Sequence, residues 1–142
     1  MVDDRITHFT DVVVFNATAG GHEEQNVPLT PAHRVVGKLS DDVPRPVRQG
    51  RVVARTIPEL SDVNKVMWTD WAEVSADGSF VLEAWPATES IQLIALCDGY
   101  IATSGDAPTE DLKLPKDPYY RPHSFPAGCT DIVVPMKALS PV

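Results

Sequence analysis

Ala76-Asp77-Gly78-Ser79-Phe80-Val81-Leu82-Glu83-Ala84, followed after one proline corner by Ile91-Gln92-Leu93-Ile94-Ala95-Leu96-Cys97, decides the fold. Asp-Gly tolerates the positive φ of a tight turn, so Asp77-Gly78 predicts a hairpin corner. Beyond it, Phe80, Leu82 and Ala84 recur with period 2 and predict one apolar strand face. Trp85-Pro86-Ala87-Thr88-Glu89 reads as the next turn. In 91–97, Ile91, Leu93, Ala95 and Cys97 share one face, with Gln92, Ile94 and Leu96 on the other. Both faces are largely apolar, which predicts a central strand.

Outward from this pair the same grammar continues. Asp11-Val12-Val13-Val14-Phe15, Arg34-Val35-Val36-Gly37-Lys38-Leu39, Arg51-Val52-Val53-Ala54-Arg55-Thr56, 68–74, Tyr100-Ile101-Ala102-Thr103 and Ile132-Val133-Val134-Pro135-Met136 read as further strands. Thirteen prolines and eight glycines leave no dozen-residue stretch with unbroken helical periodicity. Seven or eight short strands with closely spaced turns predict an all-β, antiparallel β-sandwich, with a closed barrel as the alternative. Two stretches exceed a minimal sandwich. Residues 16–32 read as an exposed loop. Residues 104–130 hold five prolines together with Tyr119, Tyr120 and Phe125, and read as a Pro-rich segment that wraps the sandwich or forms a binding loop.

The whole chain of 142 residues suits one domain. Twelve Lys and Arg against twenty Asp and Glu give a net charge of −8. That balance argues against nucleic acid, which calls for a basic face, and against docking on anionic lipid. No apolar run reaches the length of a membrane helix, so no membrane insertion is expected of this segment. No secretory leader is visible at the first residues, and a chain that stops just past a strand predicts a domain cut from something longer.

The order of elements across 34–103 resembles the carboxypeptidase regulatory-like domains, which share the transthyretin (prealbumin) sandwich. The residues that carry the likeness are Val36-Gly37-Lys38-Leu39, Val43-Pro44-Arg45-Pro46-Val47, Gly50-Arg51-Val52-Val53-Ala54, Asp77-Gly78-Ser79-Phe80, Pro86, Ile91-Gln92-Leu93-Ile94-Ala95 and Asp98-Gly99-Tyr100. The resemblance implies a Greek-key sandwich of prealbumin-like type, with 1–32 as an N-terminal extension and 104–130 as a long loop. It also implies a non-catalytic accessory module in a larger bacterial protein, often outside the cytoplasm, with other domains of the parent chain or another protein as partners and no cofactor. Residues 58–71 depart from the family pattern by a longer connection that carries Trp68 and Trp71.

The residues that could carry chemistry are few. His8, His22, His33 and His123 show no ligand spacing. Asp70, Asp77, Asp98 and Asp106 could supply calcium oxygens from loops, but the same Asp-Gly pairs are turn chemistry. Cys97 and Cys129 either form one disulfide or are two buried thiols. Asn16-Ala17-Thr18 matches a glycosylation sequon. There is no Gly-x-Ser-x-Gly elbow and no phosphate loop. Two enzyme families share this scaffold, and the chain departs from the signature of each. Tyr119-Tyr120-Arg121-Pro122-His123 lacks the second histidine of the intradiol dioxygenase signature, and the Ser140-Pro141-Val142 end lacks the Tyr-Arg-Gly-Ser tail of the hydroxyisourate hydrolases. Trp68, Trp71, Tyr119 and Tyr120 remain as candidate ligand-binding residues, for carbohydrate in particular. Trp68 and Trp71, three apart, fall on one side of a helical turn but on opposite faces of a strand.

Overall fold

The computed structural model describes residues 5–11, 13–15, 18–22, 24–56, 66–103 and 122–140. Among these there is no helix and ten strands form two sheets: β1 (His8–Phe9), β2 (Thr30–Leu39), β3 (Arg51–Arg55), β4 (Thr69–Glu73), β5 (Ser79–Pro86), β6 (Ile91–Cys97), β7 (Tyr100–Ala102), β8 (His123–Phe125), β9 (Asp131–Val134) and β10 (Met136–Ala138). In the smaller sheet β2 is central. It pairs with β5 along one side and with β1, then β9, along the other. The larger sheet runs β10-β7-β6-β3-β4, with β8 also against β6. Neither sheet closes into a barrel.

Alternation explains the core. Val35 and Leu39 of β2, Phe80 and Leu82 of β5, and Ile132 and Val134 of β9 face Val52 and Ala54 of β3, Ala72 of β4, and Ile91, Leu93, Ala95 and Cys97 of β6 in one buried cluster. The central place expected for 91–97 holds, since β6 is flanked by β3 on one side and by β7 and β8 on the other. The Asp77-Gly78 corner forms as expected. Gly78 adopts φ +90°, and Asp77 Oδ1 accepts hydrogen bonds from the Ser79 amide (2.9 Å) and hydroxyl (2.6 Å). Those two bonds, the hydroxyl first, hold the Asp77 carboxyl below its ordinary pKa.

Six expectations are corrected. Ten strands stand where seven or eight are expected, and the sandwich is not wholly antiparallel, because β9 runs parallel to β2. Residues 11 and 13–15 are not strand, and Val14 and Phe15 are exposed; the strand of this region is the two-residue β1. β2 starts at Thr30, so the end of the supposed 16–32 loop is sheet. Residues 132–136 are not one strand. Pro135 has no N–H for a ladder, and there the chain passes from the small sheet (β9) to the large one (β10). The Val134 and Pro135 carbonyls are taken by Ser40 N (2.9 Å) and Thr103 N (2.8 Å). Ala84 is not the third residue of the inward face of β5. His33 pairs with Trp85 and Val35 with Leu82, so Glu83 and Ala84 together stand opposite Arg34. This bulge turns Trp85 inward, where it is 1% exposed and its indole N–H donates to the Glu89 carbonyl (3.4 Å).

Candidate functional site

The bulge shapes a cleft of about 710 Å³. Phe9 of β1, His33 and Arg34 of β2, Glu83, Ala84 and Trp85 of β5, and Trp68, Thr69 and Asp70 at the start of β4 line it, with Arg5 to Thr7 at one side. Its volume lies in the range of small-ligand pockets, about 300–1,000 Å³. Trp68 is half-buried, and its ring meets that of Phe9 edge to face, with centroids 4.8 Å apart at 72°. The backbone of Trp68 is held by Thr56, a buried polar residue. Trp68 N donates to Thr56 Oγ1 (2.8 Å), Thr56 N donates to the Trp68 carbonyl (2.9 Å), and Thr56 Oγ1 donates to Val66 O (3.3 Å). Arg34 Nε and Glu83 Oε2, both well exposed, form an ion pair at 3.4 Å across the bulge. Asp70 Oδ1 accepts from the Trp71 amide at 2.8 Å. His33 Nε2 donates to the Cys129 carbonyl at 3.3 Å, and its Nδ1 is buried without a partner among the described residues.

A second feature is the outer face of the larger sheet. Trp71, Val53 and Ile94 follow one another across β4, β3 and β6, and Leu96 and Ile101 adjoin across β6 and β7. Trp71 is 58% exposed and Leu96 52% exposed; Val53 is exposed, and Ile94 and Ile101 are half-buried. The guanidinium of Arg51 lies over the Trp71 ring, 5.5 Å from its centroid. Arg55, hydrogen-bonded to Gln92, and Lys137, paired in register with Ile101, join Arg51 around this patch, where Glu73 is the carboxylate opposite Arg51.

The structure therefore separates Trp68 from Trp71. Trp68 and Trp71 lie on opposite faces of the β4 strand line, as their spacing in a strand requires, one in the cleft and one on the outer sheet face. Tyr119 and Tyr120 lie outside the described residues, as do Asp106 and most of 104–130. Asp70 lies near the start of β4 and Asp77 in the turn beyond its far end, so these two aspartates do not meet. Among the described residues no three His, Cys, Asp or Glu side chains gather as a metal ion requires. His123 shares a 2.7 Å hydrogen bond with Thr103 Oγ1. Cys97 and Cys129 are both free thiols; Cys97 is buried, and burial, with Asp98 beside it, pushes its pKa up. No helix among the described residues is long and apolar enough to cross a membrane.

The residues missed from sequence are Phe9, Arg34, Asp70 and Glu83 as parts of one cleft. They come from four strand regions, and only the bulge, a property of the β2–β5 pairing, turns Glu83 and Trp85 apart. Compared with known proteins, the chain matches no family model, no curated protein and no solved structure.

Proposed function

We propose that the chain is a non-catalytic accessory module of the carboxypeptidase regulatory-like kind, a Greek-key sandwich whose task is contact with another domain of its parent protein or with another protein. The observation that carries this reading is the apolar outer face built on Trp71, Val53 and Leu96. Scattered exposed apolar residues are ordinary, but neighbours in register across three strands make a continuous patch. Arg51, Arg55 and Lys137 against Glu73 give the face a local excess of positive charge on a chain of net charge −8. A partner surface with an apolar centre and an acidic rim complements it.

The polar side chains elsewhere support an architectural role. Arg45 donates to the carbonyls of Leu39 (2.9 Å), Ser40 (3.1 Å), Val43 and Asp77 (3.1 Å), binding two corners together. Asp77 caps its own turn, and His33 and His123 bond a carbonyl and a threonine.

The test is a photocrosslinking residue placed at 71, at 96 and, on the other sheet, at the exposed Lys38, in the native host. The expected result is one crosslinked species shared by 71 and 96 and missing at 38, with acidic residues around the crosslinked site. Equal capture at all three positions, or none at 71 and 96, removes the reading.

A further inference from the structure

The cleft at the β5 bulge has chemistry that the sheet face does not share, and it is a separate site. We propose that it binds a neutral saccharide, with the Trp68 indole as the stacking surface and Asp70, Glu83 and Arg34 as hydroxyl partners. Two features select this class. First, among the described residues the charges lining the cleft balance, the guanidiniums of Arg5 and Arg34 against the carboxylates of Asp70 and Glu83, which disfavours a strongly charged ligand of either sign. Second, an aromatic side chain adjoins these four charged groups. A wholly apolar ligand would desolvate them without return. A pyranose answers both: its C–H face meets the electron-rich π surface, while its rim of hydroxyls donates to carboxylates and accepts from guanidinium.

The geometry is prepared before any ligand arrives. Phe9 fixes the tilt of the Trp68 ring by its edge-to-face contact, and Thr56 fixes the Trp68 backbone from both sides. The Arg34–Glu83 pair at 3.4 Å holds a donor and an acceptor side by side on the bulge, within reach of neighbouring hydroxyls of one ring. The volume admits more than one sugar unit, so an oligosaccharide is the fitting probe.

The experiment is titration of the whole chain, at up to millimolar concentration, with linear hexasaccharides of β-1,4-glucose, α-1,4-glucose, β-1,4-xylose and β-1,4-N-acetylglucosamine, followed by calorimetry and by Trp fluorescence. Saturable binding of at least one is expected. Asp70→Asn and Glu83→Gln, which keep shape, should each weaken it about tenfold, the loss of one charge-assisted hydrogen bond. Trp68→Ala should abolish it, and circular dichroism shows whether that variant folds. Trp71→Ala, on the other sheet face, should leave affinity unchanged, so failure here is distinct from failure of the sheet-face reading. Silence of all four sugars, or binding untouched by D70N and E83Q, overturns the proposal.

Discussion

Gly37 and Phe80 are register partners on β2 and β5, and the phenyl ring occupies the space where a side chain on Gly37 would be. A Cβ built on Gly37 would stand 2.7 Å from both Cε atoms of Phe80, far inside van der Waals contact. The ring is 2% exposed and fills the core from the small sheet. An aromatic laid across a strand glycine covers backbone that the glycine leaves bare. Gly37→Ala is expected to cost about 1–3 kcal/mol by overpacking. Phe80→Ala should cost about 3–5 kcal/mol by leaving a cavity. Urea unfolding measures both, and a neutral Gly37→Ala would show that the ring is free to move aside.

Arg45 is expected to be irreplaceable by lysine. Its side chain is 29% exposed, and it serves four carbonyls from one planar group. Its guanidinium also lies where a Cβ on Gly78 would go. An ammonium on a flexible stem cannot reproduce that fork. Arg45→Lys should lose about 1.5–3 kcal/mol, the worth of a charged hydrogen bond. Retention of full stability by the lysine variant, read from the urea midpoint, would reduce Arg45 to a surface charge.

The Asp77 turn makes stability sensitive to acid. Its carboxyl titrates below the ordinary value in the folded chain because Ser79 bonds the ionised form. The folded state therefore favours the carboxylate. The contribution is complete above the unfolded pKa, about 3.9, and is lost as pH falls through the lower folded value. Relative to Asp77→Asn, which cannot titrate, the wild type should hold a constant difference above about pH 5 and lose ground below about pH 4. Thermal melts at stepped pH give the comparison; parallel profiles throughout would contradict it.

The two thiols should react in order. Cys129 is half-buried and Cys97 is buried with its pKa raised, so its thiolate is scarce at neutral pH. Ellman's reagent should take one equivalent quickly in the folded chain and the second only on unfolding. Cys129→Ser should abolish the fast phase. A fast phase surviving that change would place Cys97 at the surface.

Thr56→Val keeps the shape of a buried side chain and removes its hydroxyl. It leaves the Trp68 amide without its 2.8 Å acceptor. The expected cost is about 1–3 kcal/mol, that of an unsatisfied buried donor, together with a shift in Trp fluorescence as the indole loses its anchor. Unchanged emission would mean that Phe9 alone orients Trp68.

Much of the architecture is legible in local pattern, because period-2 alternation and Asp-Gly corners act within a few residues. The alternation of 91–97 foretells both its inward face and its central place. The i, i+3 spacing of Trp68 and Trp71, once their segment is read as strand, puts them on opposite faces. The misses are of another kind. Nothing in Leu82-Glu83-Ala84-Trp85 marks a bulge, because the extra residue exists only relative to Arg34 on another strand. Val12-Val13-Val14 has strand propensity, yet Val14 is exposed and no described neighbour pairs there, since β propensity acts only where a partner strand is offered. The cleft inherits both difficulties: its aromatic is visible in sequence, but its carboxylates and guanidinium come together only through pairing.

The crossing at Pro135 gives residues 131–138 a stake in both layers. β9 lies parallel to β2, with Asp131 opposite Val36, and β10 lies against β7. Parallel neighbours so distant along the chain cannot zip from a hairpin; they must wait for diffusion to close a very large loop. Assembly of this clasp therefore belongs to the slow regime of topologies dominated by remote pairing, on the scale of about milliseconds to seconds. Until it snaps shut, β2 has only its β5 and β1 neighbours, and Ile132, Val134 and Met136 stay outside the core that the other strands build.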